Sequence, residues 1–415
     1  MEPQTVRDRM VDRIQHMLKH AVIKDPRFLD DEQLIRAEQL ALIEEIFNAS
    51  VRDTEIEELS SHFAGILRGD HPCHLAVWGK TGTGKTLTLT YFLNLLTELA
   101  KSRQVDVRHV HLDLSTPQPC FRALNNLACL VGASKSHKKG ISLEELMVNT
   151  EEALADQSGY LIIFVDEVDN VRRDRDTFLK FLVRRLPQKI RARLILVFVS
   201  NRLNWPDQLD PRVKSFLKLN ELLFKPYDAR DLEHILNIRI EKALYPDTVE
   251  LAAIKKIGGL AGHDHGDARK AVALLVKSAY LAEKAGTKIT LALVDQAVDE
   301  LHCDRYVALL RTAPVQLKAA LAGVIEASDR AKGRAVATGG AFDAYRRFCD
   351  RVGQRPLSGR AFGDLLAELD VHAFIRSSVV SHGRRGRTRE ITLDIPREIV
   401  AQLSDVIRMD FNLRR

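Results

Sequence analysis

A chain of 415 residues, 45% hydrophobic and 28% charged, is long enough for two to four domains that each bury a core, and it reads as globular. Its net charge of +6 is unevenly spread: residues 305–415 hold 20 Lys and Arg against 12 Asp and Glu, with arginine outnumbering lysine 18 to 2. Such a last quarter is the electrostatic footprint of a module facing a polyanion, with a merely solvated basic surface as the plain alternative. No apolar run approaches a membrane span and Met1–Arg13 is charged throughout, so neither a signal peptide nor an anchor is expected, and a cytoplasmic or nucleoid-associated location is. Five scattered cysteines (Cys73, Cys120, Cys129, Cys303, Cys349), never spaced CxxC, argue against a disulfide framework and a zinc site.

Residues 14–23 and 31–47 carry helical periodicity, joined by the turn-like Lys24-Asp25-Pro26-Arg27. The apolar run Leu75–Trp78 then leads into Gly79-Lys80-Thr81-Gly82-Thr83-Gly84-Lys85-Thr86, which fits GxxxxGK followed by Ser or Thr. A helical pattern with Leu87, Leu89, Phe92, Leu93, Leu95 and Leu96 follows, so the motif sits on a strand-to-helix turn. Glycines there let backbone N–H groups point at phosphate oxygens, and the helix N-terminus faces the anion. Lys85 reaches the β- and γ-phosphates and Thr86 offers a hydroxyl to Mg²⁺, which predicts ATP or ADP as ligand.

Further β-type runs, Val105–Leu112, Leu161–Val165, Leu194–Val199 and Leu219–Phe224, alternate with helical patterns, which predicts an α/β core with a parallel sheet covered on both faces. A long insert between the second and third runs holds Pro117-Gln118-Pro119, a helical stretch Phe121–Leu130, a polar run 134–140 and a helix from Ser142. The third run ends in Asp166-Glu167, at the strand tip where ligands bind in such sheets. Asp166 is placed to hold Mg²⁺ through its waters, and Glu167 to orient and deprotonate an attacking water. Asn201, at the tip of the fourth run, is placed to bond that water or the γ-phosphate; a turn asparagine is the alternative.

From Asp228 to Leu301 the pattern is helical only, with Gly258-Gly259 and Gly262–Gly266 as breaks, which predicts a small all-α domain. Arg269 falls in the first turn of a helix, where a cation needs an anion beside it: a γ-phosphate, or else Asp264 or Asp267. His263-Asp264-His265 is read as a polar turn rather than a metal site, for want of a fourth ligand. Helical patterns at 315–325, 342–352 and 357–369 precede two strand-like runs, 374–380 and 389–393, around a basic tip. Three helices and a basic hairpin predict a winged helix-turn-helix. In it Ser358 and Arg360 would open the helix expected in the major groove, and Arg384, Arg385, Arg387 and Arg389 would lie along the backbone or in the minor groove, with a merely soluble turn as the alternative for the tip. The expected domains are 1–227, 228–302 and 303–415.

Together these motifs resemble one family, the AAA+ origin-recognition and cell-division-cycle replication initiators of archaea and eukaryotes, over nearly the whole chain. The resemblance is carried by the phosphate loop, Val165–Asp169, Arg36-Ala37-Glu38-Gln39, Gly140-Ile141-Ser142 with Glu145-Leu146, Leu209–Ser215, Gly266–Ala271 and the wing-like run from Gly383 to Leu393. It implies an AAA+ P-loop core with an all-α lid and a C-terminal winged helix. It also implies an ATP-regulated DNA-binding initiator that recognises replication origins or helps load the replicative helicase. Gly79 to Thr86 with Asp166 would then bind nucleotide and Mg²⁺, Glu167 would be the catalytic base, and Asn201 and Arg269 the two sensors. The insert would touch DNA, and double-stranded origin DNA, the helicase and further initiator copies would be the partners. Eukaryotic relatives often carry arginine directly after the serine of the Leu209–Ser215 box; here Phe216 stands there, leaving Arg212 as the nearest candidate for an arginine finger and favouring slow intrinsic turnover. A related regulator with incidental ATPase, or a ring-forming clamp-loader-like or mobile-element ATPase, are the alternatives.

Overall fold

The structure, a computed structural model, describes residues 21–29, 40–48, 51–133, 140–381 and 387–413. It divides into two compact units, Met1–Val294 and Asp295–Arg415.

In the first unit, β1 (His74–Trp78), β2 (Val107–Asp113), β3 (Tyr160–Asp166), β4 (Arg193–Ser200) and β5 (Leu219–Leu223) form a parallel sheet in the order β2-β3-β4-β1-β5. Alternate residues of each strand feed opposite faces. Leu161, Ile163 and Val165 pack under α4 (Cys120–Leu130) and α5 (Leu143–Leu154), whereas Ile162 and Phe164 pack with α2 (Asp53–Phe63) and α3 (Lys85–Ser102). That double covering is why β3 is apolar from end to end and wholly buried. The order also places the carboxyl ends of β3, β4 and β1 side by side, bringing Asp166, Asn201 and Gly79 to one edge. Both insert helices bury apolar faces in this core (Ala123, Leu124, Leu127; Leu146, Met147, Leu154), and the Ser142 hydroxyl caps α5 by accepting Glu145 N–H at 3.1 Å. Residues 134–139 of the insert, and Arg36–Gln39, lie outside the described residues.

The remainder of this unit is helical. α8 (Ala229–Ala243) opens with a reciprocal Asp228–Asp231 capping box and is followed by α9 (Leu251–His263) and α10 (Ala268–Ala285). Gly258-Gly259, expected as a break, instead lies inside α9; a side chain at Gly258 would press within 3.2 Å of the Ala229 carbonyl on α8, so Gly258 marks a close helix crossing, whereas Gly259 faces open space. Residues 21–23, expected to close a helix, are not helical. Ile23 forms an antiparallel bridge with Leu244, and the N–H groups of Val22 and Ile23 both donate to Glu283 Oε1 at 2.9 Å, so that these residues are held extended along the helical region. Beyond a short turn at Pro26–Leu29, α1 (Leu40–Asn48) follows. A short helix α6 (Arg175–Lys180) and α7 (Pro211–Leu217) complete the unit before α11 (Leu291–Thr312), which contains its boundary.

The second unit packs α12 (Val315–Arg330), α13 (Thr338–Arg351) and α14 (Gly359–Val371) against an antiparallel sheet in the order β6-β8-β7: β6 (Val336–Ala337), β7 (Ile375–Ser381), β8 (Arg387–Leu393). Two elements escaped the sequence reading. β6 is two residues long, and α15 (Arg397–Asp410) buries Ile399, Leu403, Val406 and Ile407 in the same core. The second of these was legible as a 3.6-residue stripe behind Pro396.

Candidate functional site

The phosphate loop joins β1 to α3 beneath an open cavity lined by residues of the sheet core and of the helices that follow it. Gly82 (φ 71°) and Gly84 (φ 81°) hold left-handed backbone. Side chains there would also collide, at Gly82 with the Asp267 carboxylate and at Gly84 with the Tyr227 hydroxyl. Lys85 is buried, its Nζ donating to Gly79 O (2.9 Å), Lys80 O (2.7 Å) and Asn201 Oδ1 (2.8 Å). Burial pushes its pKa down to about 8, against the opposing pull of Asp166 and alongside the repulsion of Arg269. An ammonium so desolvated is stabilised by an incoming anion, which is the electrostatic demand that a phosphate meets. Thr81 lines the same cavity, and the buried Thr83 hydroxyl donates to Lys80 O at 2.9 Å, fixing the loop's curl.

The acidic half of the site comes from β3. Asp166 accepts the Thr86 hydroxyl on Oδ2 at 2.6 Å and the Glu167 N–H on Oδ1 at 2.9 Å. Glu167 departs from the strand in left-handed backbone (φ 51°), which turns its side chain into the cavity, where Asn170 Nδ2 donates to Oε2 at 2.8 Å. Burial, with Asp166, Asp169 and Asp113 nearby, raises the Glu167 pKa, as suits a base that must hold a proton briefly. Thr86 Oγ1 and Asp166 Oδ2 are hard oxygen donors of the kind Mg²⁺ takes. Beside them the His111 Nε2 is buried, makes no hydrogen bond, and lies 3.8 Å from Asp166 Oδ2. The residues present therefore fit a nucleotide with a divalent cation.

Arg269 follows the helix-capping Asp267, whose carboxylate accepts the N–H groups of Arg269 and Lys270, while Asp264 pairs with Lys270. Both local acids are thus engaged elsewhere, and the Arg269 guanidinium pairs with neither; it lines the cavity mouth, exposed, and bears on Lys85 and Glu167. His263 and Asp264 end α9, and His265 Nδ1 receives Lys80 Nζ at 3.0 Å. Arg212 lies apart, exposed on the first turn of α7. Phe216, on the same helix, is half exposed and sits under the Arg184 guanidinium at 5.4 Å.

Several site residues carried no sequence signal. The apolar lining of the cavity comes from Ile46, Phe47, Tyr227 and Ile235, with the buried Arg239 among them, not from residues 22–29; residues 30–36 of the segment expected to contribute lie outside the described residues. Arg52 is buried with Nη1 on Glu55 (2.6 Å) and Nη2 on the carbonyls of Thr83 (2.9 Å) and Lys225 (2.7 Å), its guanidinium 3.9 Å over the Tyr227 ring. One cation thereby ties the phosphate loop to α2 and to the link into the lid.

In the second unit, the Ser358 hydroxyl caps α14 by accepting Ala361 N–H at 3.4 Å, and Arg360 is exposed on its first turn. Arg387 and Arg389 lie on β8, paired with Ser381 and Val379. Arg389 is half-buried. Arg384 and Arg385 lie outside the described residues.

Three family models match in chain order: an AAA domain over residues 68–204, a Cdc6 AAA+ ATPase-type lid domain over 233–299, and a CDC6 C-terminal winged helix domain over 308–402. An ORC1-type DNA replication protein of Pyrococcus furiosus is 30% identical across 95% of this chain and 96% of its own length. ORC1-type DNA replication protein 1 of Methanosarcina mazei is 32% identical over 88% of this chain and 87% of its own. Among solved structures, that of the Aeropyrum pernix ORC1 protein in complex with DNA superposes with a TM-score of 0.76 at 28% identity, covering 94% of this chain and 97% of that one.

Proposed function

This chain belongs to the family of ORC1-type DNA replication proteins, and we infer that it is a replication initiator whose AAA+ site binds ATP and whose winged helix binds origin DNA. The observation that carries the nucleotide reading is the convergence of Lys85, Thr86, Asp166, Glu167 and Asn201, from three adjacent strand ends, on one cavity closed by Arg269 of the lid.

In this reading Gly79 to Thr86 cradle the phosphates, and Lys85 gives up its carbonyl partners for phosphate oxygens. Thr86 and Asp166 would hold Mg²⁺, which would supply charge neutralisation for the phosphates. Glu167 orients a water and takes its proton, Asn201 holds that water's far side, and Arg269 reads the γ-phosphate from the lid. Among the described residues Arg269 and the buried Arg239 are the arginines of the same chain that line the cavity, and Phe216 fills the usual finger position. Hydrolysis is therefore slow and acts as a reset, while bound ATP is the signal. Arg212 would serve as a finger only toward a second copy. Ser358, Arg360, Arg387 and Arg389, with Arg384 and Arg385, contact the DNA; helicase loading follows origin binding.

Glu167→Gln tests the assignment: it leaves ATP affinity within about twofold and lowers turnover by at least about 100-fold, the usual worth of a positioned base. Turnover at the parental rate would overturn the role given to Glu167.

A further inference from the structure

His111 lies on β2 directly across from Phe164 on β3, and its ring stacks flat on that phenyl with centroids 4.3 Å apart and planes 5° from parallel. The stack fixes the direction of Nε2, and that direction is toward Asp166, whose Oδ2 is 3.8 Å away. This is too long for a hydrogen bond, and the carboxylate is already engaged: Oδ1 accepts the Glu167 N–H and Oδ2 the Thr86 hydroxyl. The nitrogen is left buried without a partner. A buried polar atom in that condition costs free energy unless a further group meets it. The site's oxygen donors already call for a divalent cation in that corner.

We propose that His111 Nε2 is a third protein group of the divalent-cation site formed by Thr86 and Asp166, and that it biases this site toward first-row transition cations over Mg²⁺. The proposal rests on the nucleotide reading above. A neutral imidazole nitrogen accepts from cation-held water or binds the cation itself, and transition cations gain more from it than Mg²⁺ does, since Mg²⁺ prefers an all-oxygen shell. The phenyl beneath acts as a stop that keeps the ring from turning away.

The test uses the full chain with ADP, so no turnover is needed. Affinity is compared for ADP alone, with Mg²⁺ and with Co²⁺, in the parent, in His111→Phe, which keeps an aromatic stack, and in His111→Asn, which guards against a folding defect of the first. The Mn²⁺–ADP complex is examined by electron spin echo for coupling to an imidazole nitrogen. Expected are nitrogen coupling in the parent and none in either variant, with the Co²⁺ over Mg²⁺ preference shrinking about tenfold, as loss of a group supporting a metal site commonly does. Metal-free ADP affinity stays unchanged. An absent coupling in the parent, an unchanged cation preference in both variants, or an equal loss of metal-free binding would overturn the proposal alone. Failure of the parent to bind ADP under any condition would overturn the nucleotide reading and this proposal with it.

Discussion

The backbone N–H of Ala268, in the first turn of the lid helix α10, donates to the carbonyl of Gly82 in the phosphate loop at 3.1 Å. Nothing intervenes between the two. With Asp267 packed on Gly82 and Lys80 donating to His265, the loop that grips phosphate and the lid that carries Arg269 move as one contact. A change in the loop's curl on binding nucleotide is therefore felt at the lid without an intermediary.

Gly82→Ala drives a methyl group into the Asp267 carboxylate at a left-handed position. Left-handed backbone costs a side chain about 1–2 kcal/mol by itself, and the collision adds to it, so ADP affinity falls at least about tenfold. Gly69→Ala is the control, since it has the same kind of backbone (φ 89°) and open space around the new atom. It should lower the melting temperature slightly and leave ADP binding alone.

The depressed Lys85 pKa gives a pH signature. With a folded value of about 8 and an ordinary value of 10.5, the unfolded chain binds the extra proton between those limits, so this group's contribution to stability grows as pH rises from about 8 toward 10.5. Below pH 8 both states are charged and the benefit is gone. Relative to Lys85→Met, the ligand-free parent should gain stability across that window. Nucleotide, by restoring the charged amine, should bind with proton uptake at pH 8.5 to 9, measured by calorimetry in buffers of different ionisation enthalpy. Lys85→Met should lose ADP binding and the proton uptake together.

Glu167 carries its proton to higher pH than an ordinary carboxyl group because it is buried beside Asp166, Asp169 and Asp113. In the role proposed for it Glu167 acts when ionised, so single-turnover hydrolysis should decline as pH falls, beginning above the usual carboxylate range. Asp169→Asn removes one like charge and should move that decline to lower pH.

Arg52 and Glu55 form a buried pair. Arg52→Met leaves the Glu55 carboxylate uncompensated and two carbonyls, those of Thr83 and Lys225, without their donor, at a cost of about 3–5 kcal/mol. Denaturant unfolding should show this. The double variant with Glu55→Gln should recover part of it, whereas ADP affinity should stay impaired because the Thr83 carbonyl has lost its anchor.

Much of this was legible in the chain because it is local. The runs of β1, β3 and β4 are apolar without alternation, since both faces of the sheet are covered there, and Gly79–Thr86 and Asp166-Glu167 declare themselves by spacing at strand ends. What was not legible depends on distant residues meeting. Nothing around Arg52 marks it as the clamp on a loop some thirty positions ahead (Thr83), nor does any period reveal that Ile46 and Phe47 line the cavity. Gly258 was misjudged for the same reason: a glycine that permits a helix crossing looks, in one dimension, like one that ends a helix.

The account stands or falls on whether nucleotide state sets DNA affinity. Binding of the full chain to origin DNA should be titrated at fixed salt, where phosphate attraction is constant, with ATP, with ADP and without nucleotide, in the parent, Glu167→Gln and Lys85→Met. The account predicts at least about tenfold tighter binding with ATP than with ADP, held without decay in Glu167→Gln and absent in Lys85→Met, a difference of about 1.4 kcal/mol or more. Equal affinity in all three nucleotide states of the parent would contradict it.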